Sequence, residues 1–366
     1  MTRPTVGFVG AGSVLWAYLR VLDDLVARGL AEVGPIHVRS EARTERIHRI
    51  RPDAWTEVDL ERVVDGNVDV VVVITPPHTH AEIVTMALER EKHVLCEKPL
   101  ALTRDDGSRL VELAAKRGVH LMAAPFVHLS PSFRQLWTLV HDGEVGVVHS
   151  ARGLYGNAGA PWATWMHTTG VGPLAEMGIY NLKSLTSVLG PVTEVFAAES
   201  RSQMERLLDG EILDAPEHDV SHLVLRHREG GLSSVVASQA IHRYRRPALE
   251  FYGSGGTINM LGDDWDPTGV ELWTAGRGRW ESIDPPDSSW SWADGLRELV
   301  AALNEDREPL ARPEHDLHLL EVLDAARYSV ETSTPMRVSS SFDPLDLSID
   351  LSPHSGHDHT RPIDLQ

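Results

Sequence analysis

The feature that most constrains the fold is the unbroken apolar run Val-Val-Val-Val-Ile at positions 70–74. β-branched residues favour extended strands, and a strand without polar alternation is buried on both faces. Such strands are typical of parallel sheets that carry helices on both sides. The run therefore predicts that residues 68–74 form a central strand of an α/β sheet.

The neighbouring segments continue an alternation of strand and helix. Strands are predicted at 5–9, 35–38 and 93–96, and helices at 81–91 and 104–117. The rhythm stops after Pro125, where a helix at 131–141 is followed by several strands without helices between them. We therefore predict a doubly wound parallel sheet in residues 1–124 and a second domain, with an antiparallel meander, in residues 125–342.

A glycine turn follows the first predicted strand. Gly10-Ala11-Gly12-Ser13-Val14 leads into a helix with apolar spacing. Glycines at such a turn let the backbone approach a pyrophosphate, and the start of the helix favours its negative charge. Leu15 replaces the third glycine of the dinucleotide fingerprint, so an ordinary strand-to-helix turn also fits. Gly10, Gly12, Ser13 and Val14 are the predicted cofactor contacts of this segment.

Glu97-Lys98-Pro99 lies directly after the predicted strand at 93–96. It places an ammonium group at the carboxyl end of a parallel strand, where open α/β sheets bind ligands. Pro99 disfavours helical backbone at the preceding lysine, so Lys98 is predicted to be extended. A solvated lysine at a strand end is the alternative for this tripeptide alone.

Four segments of the chain carry a family resemblance. They are Gly10-Ala11-Gly12-Ser13, Thr75-Pro76-Pro77-His78-Thr79-His80, the stretch 87–101 with Glu97-Lys98-Pro99, and the stretch 170–180 with Glu176 and Tyr180. Together they resemble the Gfo/Idh/MocA oxidoreductases. The resemblance covers about residues 4–342 and implies an N-terminal Rossmann domain, a C-terminal α/β domain with a large, mostly antiparallel sheet, and NAD(P)-dependent hydride transfer on sugars, cyclitols or related polyols. It also implies dimers or tetramers that form through that sheet. Thr75, Pro76, Pro77, His80, Glu97 and Lys98 are its implied cofactor contacts.

The second chemical constellation lies in residues 170–189, which predict a helix with Glu176, Tyr180 and Lys183 on one face. By resemblance, Glu176 replaces an aspartate and Tyr180 is the acid/base, as in the branch of glucose-fructose oxidoreductase and dimeric dihydrodiol dehydrogenase. Lys98, Tyr180 and Glu176 are therefore the predicted catalytic residues. Because a nearby ammonium favours phenolate, we expect Lys98 to lower the pKa of Tyr180. A helix with a surface ion pair is the alternative.

Substrate contacts are predicted at Lys98, Trp162, Trp165, His167, Tyr180 and Lys183. Aromatic and hydrogen-bonding side chains in the loop before position 170 suit the faces and hydroxyls of a carbohydrate, although tryptophans there also fit ordinary packing. The residues do not name the sugar.

Cofactor choice is predicted from the end of the second strand. An acidic residue at that point normally binds the ribose hydroxyls of NAD, but this chain has Arg39, with Ser40 and Arg43 close by. Guanidinium groups pair with a 2′-phosphate. The sequence therefore predicts NADP, with NAD possible if Glu41 points inward.

Composition excludes several classes of protein. A formal net charge of −19 argues against general binding to nucleic acid or anionic membranes. We found no apolar stretch of about 18 residues and no signal-peptide pattern, so we expect a soluble, cytoplasmic protein. The single cysteine, Cys96, predicts neither a disulfide nor a cysteine zinc site.

Residues 343–366 are predicted to be an extended His/Asp-rich tail, dispensable for the folded core. Histidines at 354, 357 and 359 have only a weak metal-like spacing, so no metal site is predicted. Two alternatives to a dehydrogenase remain: a catalytically silent nucleotide sensor of the same fold, and a redox-assisted glycosidase that uses the same cofactor site.

Overall fold

A six-stranded parallel sheet forms the first half of the molecule. The structure, a computed structural model, describes residues 3–159, 172–208, 210–214, 218–245, 247–285 and 289–348. Strand order is β3-β2-β1-β4-β5-β6, which confirms the doubly wound sheet. Its order reverses between β1 and β4, where open α/β sheets bind ligands. The strands are β1 (Thr5–Val9), β2 (Glu32–His37), β3 (Thr56–Glu57), β4 (Val70–Val73), β5 (His93–Cys96) and β6 (Leu121–Ala123).

Helices cover both faces of this sheet. All four valines of β4 are fully buried. Val71 and Val73 belong to one apolar cluster, while Val70 and Val72 belong to the other. The apolar run therefore marks a central strand, as predicted. The helices are α1 (Leu15–Ala27), α2 (Glu41–Ile50), α3 (Leu60–Asp65), α4 (His80–Glu89) and α5 (Arg104–Arg117), with a 3₁₀ turn at Pro77–Thr79.

The second sheet has nine strands in the order β16-β15-β14-β13-β7-β12-β11-β8-β17. Within this second sheet, β7 and β12 are the one parallel pair among the strand pairs described. The mostly antiparallel sheet is therefore confirmed. A simple meander is wrong, because β7 lies in the middle between β13 and β12. Strands of this half are β7 (Val148–Gly156), β8 (Val192–Ser200), β11 (Val220–His227), β12 (Leu232–Ser238), β13 (Leu249–Gly253), β14 (Gly256–Asp263), β15 (Asp266–Thr274), β16 (Trp280–Ile283) and β17 (Met336–Arg337), with a separate hairpin of β9 (Glu205–Leu208) and β10 (Glu211–Asp214).

Late helices return to the first sheet. Arg297, in the helix Gly295–Glu305, forms an ion pair with Asp24 of α1 at 2.5 Å. Asp324, in the helix Pro313–Thr332, accepts a hydrogen bond from the backbone N–H of Arg104 at 3.0 Å. The two halves are therefore joined by helices as well as by the crossing chain. The remaining helices are α6 (Pro131–His141), α7 (Ile179–Leu189) with a π-helical segment at Leu174–Gly178 before it, α8 (Gly295–Glu305) and α9 (Pro313–Thr332), and a 3₁₀ turn lies at Val127–Leu129.

The predicted tail begins too early at residue 343. Leu347 is fully buried, and Arg134 donates hydrogen bonds to the carbonyls of Leu347 and Ser348 at 3.1 and 2.6 Å. A chain that ends at Phe342 would lose these contacts, so the segment up to residue 348 packs on the folded body. That the tail is dispensable stays a prediction. The histidines at 354, 357 and 359 lie outside the described residues. Within the described part of the chain, no helix is both long and apolar enough to cross a membrane.

Candidate active site

The glycine turn at the end of β1 has one structural and one open glycine. Gly10 has a φ of +116°, and a Cβ there would lie 2.8 Å from the carbonyl oxygen of Ile74. A side chain is therefore excluded by both backbone conformation and space. At Gly12 a Cβ would meet no heavy atom within 4 Å. Gly12 thus borders open space at the switch point of the sheet.

The start of α1 carries no cap from the protein. Val14 occupies the N-cap position without a side-chain hydrogen bond, and the first turn holds no acidic residue. By contrast, Thr103 and Ser130 cap the starts of α5 and α6. The first N–H groups of a helix need acceptors, and a pyrophosphate supplies them. The turn, including the exposed Ser13, therefore fits a dinucleotide phosphate.

Two free guanidinium groups lie after β2. Arg39 and Arg43 are exposed, and neither guanidinium group has a hydrogen bond or an ion pair with a described residue. Ser40, the N-cap residue of α2, makes no side-chain capping bond. Glu41, the first residue of α2, is exposed as well. The three predicted contacts are thus all available to an anionic ligand.

His80, a predicted cofactor contact, lies inside the protein. Its side chain is fully buried, and its ring nitrogens lie 2.7 Å from the Pro99 carbonyl oxygen and 2.8 Å from that of Thr75. Burial lowers the pKa of His80. His80 therefore connects the segment with Thr75, Pro76 and Pro77 to the segment with Pro99.

Lys98 and Glu176 meet between the two sheets. The Lys98 Nζ donates to the Glu176 carboxylate at 2.6 Å and to the Glu176 backbone carbonyl at 2.8 Å. Their side chains are only 12% and 3% exposed. An ammonium has three protons to donate, so one remains for another acceptor. The Oε1 atom of Glu176 also has no hydrogen-bond partner among the described residues.

Tyr180 lies beside this pair, but not in the predicted electrostatic state. The Lys98 Nζ is over the face of its ring, 5.8 Å from the centroid. Burial, followed by the charge of Glu97, holds the pKa of Tyr180 well above its ordinary value. The expectation that the pKa of Tyr180 is lowered is therefore wrong for the ligand-free chain, where burial is the main cause of the shift. Tyr180 is a neutral phenol here, able to donate a proton.

Sequence analysis missed Tyr18, which fixes Glu97. The Tyr18 hydroxyl donates to Glu97 Oε1 at 2.8 Å, and the Lys98 backbone N–H donates to Oε2 at 3.1 Å. The Tyr18 ring packs edge-on against Trp292, with centroids 5.6 Å apart. The one available signal was a tyrosine among the apolar positions of α1. These bonds hold the residue before Lys98 from both sides.

Asp264 is a second residue that the sequence did not indicate. Its fully buried carboxylate accepts from the Asn181 amide and, at 3.1 Å, from Ser184, both on α7. Burial raises the pKa of Asp264 to about 7. Its charge also contributes to the raised pKa of Tyr180. An ionisable group, Asp264, therefore contacts α7, the helix that carries the predicted acid/base Tyr180.

Lys183 does not lie at an open surface. Its side chain is fully buried, and Nζ contacts Asp316 Oδ1 at 2.5 Å. The structure therefore places Lys183 in the interior, whereas the sequence predicts it as a substrate contact. Trp162, Trp165 and His167 lie outside the described residues. Among the residues that are described, no group of three or more His, Cys, Asp or Glu side chains could hold a metal ion.

Asp264→Asn should make the protein more stable at pH 8 but not at pH 4. The folded pKa of about 7 exceeds the unfolded value of about 3.9, so the wild type loses stability as pH rises between them. An asparagine cannot ionise, and Asn181 Oδ1, which lacks a partner, can accept from the new amide. We expect a gain on the order of 2 kcal/mol at pH 8 in urea unfolding. An equal difference at both pH values would contradict this account.

Comparisons with known proteins agree with this geometry. A family model for the Gfo/Idh/MocA oxidoreductases, with an NAD-binding Rossmann fold, matches residues 5–124, and the model for the C-terminal domain of that family matches residues 133–259. Myo-inositol 2-dehydrogenase from Thermotoga maritima is 28% identical over 69% of this chain and 74% of its own length. The dTDP-3,4-didehydro-2,6-dideoxy-α-D-glucose 3-reductase of Saccharopolyspora spinosa is 30% identical over 70% of this chain and 75% of its own.

A solved structure of levoglucosan dehydrogenase, in complex with NADH and levoglucosan, has the same fold. It superposes with a TM-score of 0.82 at 19% identity and covers 92% of this chain and 100% of its own. Both family models match in the expected order, and Lys98 of the first matched region contacts Glu176 of the second. The chain belongs to the Gfo/Idh/MocA family of oxidoreductases.

Proposed function

We propose that the chain is an NADP-dependent oxidoreductase that transfers a hydride between the nicotinamide and a hydroxyl or carbonyl carbon of a sugar, cyclitol or related polyol. The observation that carries the proposal is the Lys98 ammonium, held by Glu176 beside Tyr180 and at the strand edge that also carries the open glycine turn. The names of the relatives, an inositol dehydrogenase and a deoxysugar reductase, support this class of substrate.

Lys98 and Tyr180 have different roles in the proposed hydride transfer. A bound nicotinamide would supply or accept the hydride. Lys98 directs its remaining proton to the substrate oxygen and stabilises negative charge there. Because its pKa is raised, Tyr180 is protonated in the ligand-free chain, and it passes this proton to the substrate oxygen as the hydride reaches the carbonyl carbon.

Glu176 has two roles in this scheme. One carboxylate oxygen holds Lys98, and the other lacks a partner among the described residues. That free oxygen is an acceptor for a second substrate hydroxyl, which a polyol offers and a simple ketone does not. Because Glu176 sits on a π-helical segment, a feature frequent at functional sites, we assign it to the site rather than to packing.

Assembly is proposed through the outward face of the large sheet. Phe196 of β8 and Val224 of β11 are neighbours in the strand register, and their exposed fractions are 42% and 51%. Exposed apolar residues that adjoin on a flat sheet are typical of protein contacts. We therefore propose a homodimer or homotetramer that covers this face.

Lys98→Met and Tyr180→Phe should each reduce kcat by about 100-fold or more, because each removes a group that acts on the substrate oxygen. Cofactor affinity should stay within about tenfold. Myo-inositol, levoglucosan and their keto forms are suitable probes, with NADPH absorbance as the readout. Lys92→Met, at the other end of β5, and Tyr328→Phe, on exposed α9 surface, are matched controls. Near-wild-type kcat in either active-site variant would remove that residue from the mechanism.

NADPH should bind more tightly than NADH by about 1.5–3 kcal/mol, the worth of charge-assisted hydrogen bonds to a 2′-phosphate. Arg39→Asp should reverse this order, because a carboxylate repels the phosphate and accepts from a ribose hydroxyl. Calorimetry on cofactor-free protein measures both constants. Arg20→Asp, at an exposed arginine of α1, controls for net charge, and Gly12→Ala should weaken both cofactors. Equal dissociation constants of the wild type for NADPH and NADH would contradict the assignment of NADP as the cofactor.

A further inference from the structure

The Lys183–Asp316 contact is a buried ion pair that stability alone does not account for. Both side chains are at least 96% buried, with 0% and 4% exposure. Desolvating two charges is costly, and apolar residues of similar volume often serve stability as well or better. We therefore expect the Lys183–Asp316 pair to have a role besides stability, and its position in the fold indicates that role.

One end of the pair is attached to the helix of the proposed acid/base. Lys183 follows Tyr180 by three residues and Glu176 by seven, so the three lie along one face of the helical segment. Glu176 contacts Lys98 at 2.6 Å about one turn before Tyr180. Lys183 contacts Asp316 about one turn after it. Tyr180 is thus flanked by two ion pairs that both leave the same helix.

The other end of the pair is attached to the strand edge that carries Lys98. Asp316 lies on α9, which packs against β6, and the backbone N–H of Ala123 in β6 is close enough to its carboxylate to influence the pKa of Asp316. Ala123 is the register partner of Cys96 in β5, two residues before Lys98. Asp316 therefore links the helix that carries Tyr180 to the same strands that position Lys98.

We propose that the Lys183–Asp316 pair is a positioning brace that fixes Tyr180 relative to Lys98 during hydride transfer. Neither residue touches substrate or cofactor in this role. With only the Lys98–Glu176 contact, α7 could shift about its first turn and move the Tyr180 hydroxyl. A misplacement of about 1 Å can cost about 100-fold in rate. The inference rests on the proposed function of Lys98 and Tyr180.

Two variants separate a brace from a contribution to packing. Lys183→Met combined with Asp316→Leu removes both charges and fills the space. Asp316→Asn keeps an oxygen that can accept from Lys183 but leaves its charge without a counter-ion. For the brace we expect the apolar double variant to melt near the wild-type temperature yet lose kcat at least tenfold, with unchanged NADPH affinity. Asp316→Asn should melt lower yet keep kcat within about threefold.

The experiment measures thermal unfolding, NADPH fluorescence titration and kcat on levoglucosan or myo-inositol, whichever the wild type turns over. A crystal structure of the double variant should show that the distance from Lys98 Nζ to the centroid of the Tyr180 ring has changed from 5.8 Å. If kcat instead follows melting temperature in both variants, the pair is purely structural and the proposal is overturned. Full activity of the double variant together with loss of activity in Lys98→Met would reject the brace and leave the proposed function intact.

Discussion

The rest of the site depends on the contact between the Lys98 ammonium and Glu176. It joins the end of β5 to the helix that leads into the large sheet, and the ammonium reaches both the carboxylate and the backbone carbonyl of one residue, at 2.6 and 2.8 Å. Because both side chains are nearly buried, separating them would leave an unpaired charge, which costs several kcal/mol, roughly 3–5. The contact thereby links the end of β5 to the segment that leads into α7, the helix that carries Tyr180.

Local geometry at Glu176 makes this contact available. The segment Leu174–Gly178 is π-helical, a geometry frequent at functional sites, and the backbone carbonyl of Glu176 within it accepts a hydrogen bond from Lys98. At Gly178 a Cβ would lie 2.6 Å from Leu174 Cδ1 and 3.1 Å from Ala237 Cβ. The glycine therefore lets the segment pack closely on β12. Strand, glycine and π-helical turn together bring a carboxylate and a carbonyl to the lysine.

Features encoded by neighbouring residues could be predicted from the sequence. The valine run of β4 and the glycine turn after β1 depend on a few consecutive positions, and both are present in the structure. Pairings across long separations could not be predicted. Tyr18 with Glu97 and Lys183 with Asp316 are 79 and 133 residues apart, and only the tertiary fold brings them together. The pKa of Tyr180 was predicted in the wrong direction because the sequence does not show how deeply Tyr180 is buried, and burial is the main cause of the raised pKa.

The central claim is that Lys98 and Tyr180 act together on one substrate oxygen. A crystal structure with NADP⁺ and a bound polyol that the enzyme oxidises tests it most directly. Our account predicts that one hydroxyl oxygen lies within about 3.2 Å of both Lys98 Nζ and the Tyr180 hydroxyl. Its carbon should lie about 3–3.5 Å from nicotinamide C4. A polyol bound next to the nicotinamide with its reacting oxygen in contact with neither side chain would contradict the account.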